Sequence, residues 1–223
     1  MKYSLLLGIA VGFAALAQTP PLQKGVSVQM AVTNNATPMP EADKQDAWIV
    51  AVTAAGRMYF GTQAVTAEQL SEEMKKHPRN REAKLYIKAD ARAPYATVKD
   101  ALQAAKDLMF DAAVLLTKQP EATSLGMLVP PKGLDVLLGP RASSDAVVVR
   151  VSASGQKTPE LKVNDSLTST TNLQTALNQA LQNRSEKVVV VNADARLPFA
   201  QVAHVIDAVR SVGANAVLPA SEM

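Results

Sequence analysis

The order of apolar and polar positions predicts a small set of strands and helices that occurs twice along the chain. The first strand is indicated by apolar side chains that alternate with polar or small ones, at Val26, Val28, Met30 and Val32. Residues 48–52 are an apolar run and residues 57–60 follow a turn at 54–56, so the two segments predict a hairpin. Further short strands are expected at 84–88, 112–116, 188–191 and 216–218.

Two helices are expected in each half, and the sequence indicates where they begin. Residues 66–69 (Thr-Ala-Glu-Gln) and 171–174 (Thr-Asn-Leu-Gln) are capping-box sequences. Pro94 and Pro198 stand where the first position of a second helix would fall. The apolar stripes of the second helices follow i, i+3, i+4, i+7 spacing, at Val98, Ala101, Leu102, Ala105 and Leu108 and at Val202, Val205, Ile206, Val209 and Val212.

The two halves are copies of one another. Residues 89–98 (ADARAPYATV) recur as residues 193–202 (ADARLPFAQV), 104 positions later. Residues 46–56 also align with 145–155, and the lead-in at 24–28 (KGVSV) aligns with 132–136 (KGLDV). Three matches in the same order indicate a tandem duplication, with an insertion near 157–172 in the second copy.

These residues resemble the ExbD/TolR family. The resemblance is carried by residues 21–28 (PLQKGVSV), 50–52 (VAV), Gly56, 59–61 (YFG) and the Ala-Asp-x-x-x-Pro-Tyr run at 89–95. It implies an α+β fold made of two tandem small α/β sandwich modules, each with a mixed sheet and two helices. The expected domains are 21–118 and 132–221, joined by a linker at 119–131 that contains Pro, Gly and Ser.

The resemblance also implies a role in an envelope energy-transduction or biopolymer transport system of the TonB or TolA type. It implies protein partners of the ExbB/TolQ or TonB/TolA type, in the periplasm or at the periplasmic face of the cell inner membrane. Family members carry an Asp within the transmembrane helix, whereas residues 3–17 contain no ionisable side chain apart from Tyr3. We therefore expect a non-enzymatic component that binds proteins without this proton-carrying Asp. The alternative is a stand-alone periplasmic module that binds or scaffolds a protein or peptidoglycan, with no motor role.

Residues 1–17 have the pattern of a secretory signal peptide. Lys2 is followed by an apolar stretch, and Ala15-Leu16-Ala17 offers a small-x-small cleavage site before Gln18. The apolar run is shorter than the ~20 residues that a helix needs to span the hydrocarbon core of a membrane. A retained N-terminal membrane anchor is the alternative interpretation.

Composition and charge argue against several classes of function. A formal net charge of +3, with acidic and basic residues interspersed, gives no phosphate track for nucleic acid. The chain contains no cysteine, and its two histidines, His77 and His204, occupy non-equivalent places in the two copies. Because no nucleophile, acid pair or set of metal ligands repeats or clusters, the sequence predicts no enzyme, no cofactor and no metal site.

The strand face Val26, Val28, Met30 and Val32 is a candidate contact with a partner or with another copy. At the edge of a sheet it would pair with an extended peptide by strand addition, although an ordinary sheet strand has the same pattern. Both copies retain the same lead-in sequence. A further hypothesis is therefore that the two copies pack as an intramolecular pseudo-dimer with approximate two-fold symmetry.

Asp90 and Asp194 recur in equivalent places, at the end of a strand and before a helix. We expect each carboxylate to bind backbone amides of the turn rather than to act in catalysis. Arg92 and Arg196 are expected to pair with these carboxylates or with helix-end carbonyls, with contact to a partner as the alternative.

Overall fold

One sheet of twelve strands extends through the part of the chain that the structure describes. The structure is a computed structural model, and it describes residues 25–77, 84–120, 129–139, 146–155 and 158–219. The strands are β1 (Thr37–Pro38), β2 (Trp48–Val52), β3 (Met58–Phe60), β4 (Gln63–Val65), β5 (Leu85–Ala89), β6 (Ala112–Thr117), β7 (Lys132–Gly139), β8 (Val147–Ser152), β9 (Glu160–Val163), β10 (Ser166–Thr168), β11 (Val188–Ala193) and β12 (Asn215–Pro219). The helices are α1 (Ala67–Lys75), α2 (Tyr95–Asp107), α3 (Leu173–Leu181) and α4 (Phe199–Ser211), and a short 3₁₀ helix covers Pro40–Asp43.

The sheet is mixed, and the two repeats meet at its centre. The strand order is β10-β9-β8-β11-β12-β7-β6-β5-β2-β3-β4, and β1 pairs with the start of β7. Parallel pairs join β2 to β5, β5 to β6, β8 to β11 and β11 to β12, whereas β2–β3–β4 and β8–β9–β10 are antiparallel. These observations confirm the α+β fold class, with a mixed sheet and two helices in each repeat.

Strand β7 holds the two repeats together. It pairs in parallel with β12 of its own repeat and antiparallel with β6 of the first repeat. The β6–β7 register runs from Ala112 opposite Leu137 to Thr117 opposite Lys132, so the pairing covers the whole of β6.

The helices pack on one face of the sheet because each has one apolar stripe. The aromatic rings of Tyr95 and Phe199, the first residues of α2 and α4, are among the largest fully buried side chains. Leu70 of α1 and Leu177 of α3 are fully buried in the same core. A smaller cluster lies on the opposite face of the first repeat, formed by Met39, Ala42, Tyr86, Val114 and Leu116.

The two predicted capping boxes have different outcomes. Thr66 Oγ1 accepts a bond from the Gln69 N–H, and Gln69 Oε1 accepts one from the Thr66 N–H, so the first box is confirmed. The second prediction is wrong, because α3 has Asn172 as its N-cap and lacks a side-chain cap bond. The Asn172 N–H is bound by Ser169 Oγ instead, since a turn leads into the helix and moves its start by one residue.

The predicted first strand, at residues 26–32, does not form a regular strand. Only isolated bridges mark it, at Met30 and Val32. The expected alternation holds as far as Met30, but Ala31 is then buried and Val32 is 49% exposed. The physical reason is competition for one place in the sheet, because β7 begins with the equivalent lead-in and occupies the edge of β6.

Residues 1–24, which include the predicted signal peptide or anchor, lie outside the described residues, as do linker residues 121–128. Within the described ranges, none of the helices has both the length and the apolar character needed to cross a membrane.

Candidate partner-binding site

Two equivalent turns, after β5 and after β11, each hold an aspartate and an arginine together. In the first turn, Asp90 Oδ1 accepts the Arg92 N–H and Nε–H at 3.0 Å, and Oδ2 accepts Nη2 at 3.2 Å. In the second, Asp194 Oδ1 accepts the Arg196 N–H at 2.9 Å, and Oδ2 accepts Nη2 at 2.6 Å. Each carboxylate therefore fixes its turn through a backbone amide and holds the guanidinium two positions later.

Both carboxylates are ionised at neutral pH. The side-chain hydrogen bond from Arg92 is the main cause that lowers the pKa of Asp90 to about 2, and burial opposes it. The corresponding bond from Arg196 holds the pKa of Asp194 well below its ordinary value. Because these carboxylates have no proton to donate at neutral pH, neither turn is suited to general acid catalysis.

The segments that follow the two aspartates join the repeats by reciprocal backbone bonds. Pro94 lies opposite Pro198 in an antiparallel bridge, and each is an N-cap rather than the first helical residue that we expected. Four N–H groups donate across the junction: Tyr95 to Leu197 O (2.8 Å), Phe199 to Ala93 O (2.8 Å), Ala96 to Ala195 O (2.9 Å) and Ala200 to Ala91 O (2.9 Å). Each bond has a partner bond between the residues 104 positions away, so the junction has local two-fold symmetry.

An extended segment of the first repeat, residues 29–35, covers the first of these turns and is called the covering segment below. The Gln29 N–H donates to Asp90 Oδ2 at 3.0 Å, and the Ala91 N–H donates to the Gln29 carbonyl at 2.7 Å. Two residues after Gln29, this segment exchanges a pair of backbone hydrogen bonds with Lys118, which lies just beyond the end of β6. The carboxylate of Asp90 therefore has two functions, because it fixes its own turn and binds the backbone of a neighbouring segment.

The same segment then crosses to helix α4 of the second repeat. The Asn34 N–H donates to Asp207 Oδ2 at 3.0 Å, and the Asn35 N–H donates to Oδ1 at 2.7 Å. The His204 Nε2 atom lies 3.1 Å from the carbonyl oxygen of Val32. Asp207 is buried, and its two oxygens are bound by two successive amides of a segment that is distant in sequence.

The candidate strand face is thus divided between two environments. Val26, Val28 and Met30 are half-buried against the first repeat, whereas Val32 is half-exposed beside α4. The sequence identified these positions, together with both Asp–Arg turns, but it missed Asp207. No local pattern distinguishes Asp207 from an ordinary polar residue of a helix, because its partners are 172 and 173 positions away.

Two cavities open on the surface of the described residues. One cavity, of about 430 Å³, lies between α3, α4 and the covering segment and includes His204 and Val205. Another, of about 640 Å³, lies beside β2 and β3, where the His77 ring packs edge-on against Phe60 at 5.0 Å. The described residues include no group of three or more His, Cys, Asp or Glu side chains that could hold a metal ion.

The fold and the junction define a class of protein: a duplicated α+β module whose two copies pair about a local two-fold axis. The family model for biopolymer transport protein ExbD/TolR matches the chain twice, at residues 5–120 and 114–220. The chain therefore belongs to the ExbD/TolR family, and the double match is consistent with a tandem duplication. This family comprises biopolymer transport components associated with the inner membrane and the periplasm. No match was found among the curated proteins or among the solved structures.

Proposed function

We propose that this chain is a non-enzymatic, protein-binding component of an envelope energy-transduction system of the TonB or TolA type. The observation that carries the proposal is the reciprocal junction between the two repeats. There the residues that follow each Asp–Arg turn make backbone hydrogen bonds with the other repeat and form no catalytic arrangement. Membership of the ExbD/TolR family supports the same role. The partners would be proteins of the ExbB/TolQ or TonB/TolA type, met in the periplasm or at the periplasmic face of the inner membrane.

The proposal assigns partner binding to the two repeats. Residues 3–17 contain no carboxylate, so the proposed role depends on binding and uses no proton-carrying acid in that segment. Residues 21–118 and 132–221 would act as the two binding domains, with 119–131 as their linker. The segment that contains Val26, Val28, Met30 and Val32 would contribute contacts to a partner, since Val32 leaves half of its surface open to solvent.

Affinity purification of the tagged full-length chain from cross-linked cell envelopes tests this proposal. We expect enrichment of ExbB/TolQ-type or TonB/TolA-type proteins over a tag-only control. Sedimentation with purified peptidoglycan, without any such protein, would support the alternative of a stand-alone scaffold module. Recovery of neither would contradict the proposed role.

The mass and location of the mature protein provide a second test. A soluble periplasmic species that begins at Gln18 would favour a binding component without an anchor. A membrane-held species that retains Met1 would favour direct coupling to a membrane complex.

A further inference from the structure

The two Asp–Arg turns differ in what covers them. The side chain of Asp90 is 5% exposed because Gln29 and its neighbours lie over it, whereas the side chain of Asp194 is 22% exposed. The Ala91 N–H is bound by the Gln29 carbonyl. The equivalent Ala195 N–H has no bond to any other described residue, and Ala195 is exposed.

The cause of this difference is the use of the lead-in sequence in the second repeat. In the first repeat the lead-in continues into the segment that covers Asp90. In the second repeat the lead-in forms β7, which pairs with β6 and β12 at the centre of the sheet. The second turn therefore keeps the donor and acceptor groups of the first turn, but no segment among the described residues lies over it, and its carboxylate faces the backbone amide of Ala153 instead.

The local two-fold symmetry also identifies the helix surface beside the open turn. The covering segment of the first repeat reaches His204 and Asp207 on α4. The positions 104 residues earlier are Asp100 and Gln103 on α2, of which Asp100 is exposed. A segment that covered Asp194 in the same way would therefore pass Asp100 and Gln103.

We propose that the Asp194–Arg196 turn and the adjoining surface of α2 bind an extended segment of another protein, one that carries a basic residue where it passes Asp100. The segment would donate a backbone N–H to Asp194 and accept one from Ala195, as Gln29 does at the first turn. This inference rests on the proposed function of protein binding and gives that function a site and a class of partner.

A second copy of this chain's own segment is a poorer occupant. At α4 the Val32 carbonyl lies beside the His204 ring, whereas at α2 the same carbonyl would meet the Asp100 carboxylate. Asp207 presents two acceptor oxygens to two amides, whereas Gln103 has one. Glu68 adds negative charge near Asp100 and the neighbouring Lys99 offsets part of it, so a basic residue of the partner is needed to favour binding.

Amide hydrogen exchange, measured residue by residue by NMR on the full-length chain, tests the site. The probe is a synthetic peptide with the sequence of residues 26–36 and the substitution Val32→Lys. We expect saturable slowing of exchange at the Ala195 N–H, with little change at the equivalent Ala91 N–H, which is already bound. Unchanged exchange at Ala195 with peptide in the millimolar range would overturn the proposal.

Charge reversal on α2 provides the matched comparison. Asp100→Lys should weaken binding of the lysine peptide roughly tenfold, because two cations would then face each other. Glu72→Lys, which changes an exposed acid on α1, should leave binding unchanged. The unsubstituted 26–36 peptide should bind less tightly than the lysine peptide. Equal loss in both protein variants, or chemical-shift changes confined to the edge strands β4 or β10, would contradict the inference.

The two proposals fail in different ways. If the full chain enriches no partner from the envelope, the proposed function fails. If it enriches a partner equally well with Asp100→Lys, the function stands and this site is wrong.

Discussion

The lead-ins of the two repeats share one sequence pattern and adopt different structures. KGLDV at 132–136 lies in the central strand β7, whereas the equivalent residues 26–28 form no strand, and only Met30 and Val32 beyond them make isolated bridges. Only one strand fits between β6 and β12, and β7 pairs on both sides there. The comparison shows that a local pattern specifies the capacity to form a strand, while the rest of the fold determines which copy forms it.

The largest difference between the lead-ins should appear when equivalent apolar side chains are truncated. Leu134 in β7 is fully buried, whereas Val26, at the equivalent position, is only half-buried. Leu134→Ala should lower the free energy of unfolding by about 2–5 kcal/mol because it leaves a cavity. Val26→Ala should cost less than about 1 kcal/mol. Urea denaturation measures both, and equal losses would show that the two lead-ins are equally important to the core.

A methyl group added to the backbone of β7 should also be costly. A Cβ at Gly133 would clash with Val114 Cγ1 and lie 3.1 Å from the Leu115 carbonyl oxygen. Gly133→Ala should therefore destabilise the protein by about 1–3 kcal/mol through overpacking. Gly25→Ala, at the exposed equivalent position, is the control and should change stability by less than about 0.5 kcal/mol. Thermal unfolding of both variants gives the comparison, and a neutral Gly133→Ala would show that β6 and β7 pack less closely than described.

The two carboxylates should differ in how much they contribute to the stability of the fold. The pKa of Asp90 is about 2 in the folded protein against an ordinary value of 3.8. Because folding lowers this pKa, ionised Asp90 stabilises the protein above about pH 4, and the contribution is lost as the pH falls toward about 2. Asp90→Asn should cost about 1–3 kcal/mol at pH 7 because the Gln29 N–H and Arg92 lose a charged acceptor.

Asp194→Asn provides the comparison at the more exposed turn and should cost less than about 1 kcal/mol. Denaturant unfolding of both variants between pH 2 and pH 7 separates the effects. Because an arginine lowers the pKa of each carboxylate, both variants should show a flatter pH profile than the native chain below about pH 4. A larger loss at Asp194 would contradict the assignment of the covered turn as the more important one for stability.

The smallest expected difference concerns the helix caps. Thr66→Ala removes the cap of α1 and should cost about 1 kcal/mol. Asn172→Ala should be close to neutral, because the Asn172 side chain makes no cap bond to α3. Circular dichroism during thermal unfolding measures both variants. A marked loss at Asn172 would show that its side chain does cap α3.

The parts of the fold that the sequence predicted correctly depend on short-range patterns. The apolar stripes of α2 and α4 and the capping box at Thr66 each involve residues a few positions apart, so a single copy of the repeat is sufficient to recognise them. The pairing of β6 with β7 and the bonds from Asn34 and Asn35 to Asp207 depend on both copies at once. Hydrophobic periodicity contains no information about which of the two lead-ins occupies the place between β6 and β12.

In the candidate site, too, the sequence predicted the short-range features and missed those that depend on long-range contacts. Repetition of the Asp-x-Arg motif was enough to single out Asp90 and Asp194, because two copies at a fixed spacing are visible in the sequence. The junction beyond these turns, and the open amide of Ala195, were not visible, because they depend on which segment lies over each turn.

Joining the two repeats in one chain changes how their pairing depends on protein concentration. A dimer of separate subunits dissociates on dilution, so its stability includes the concentration of its protomers. Here β6 and β7 are consecutive strands of one chain, so the pairing that joins the two repeats forms within a single molecule. The melting temperature should therefore be independent of dilution, and the assembly needs no second molecule to remain paired when the protein is scarce.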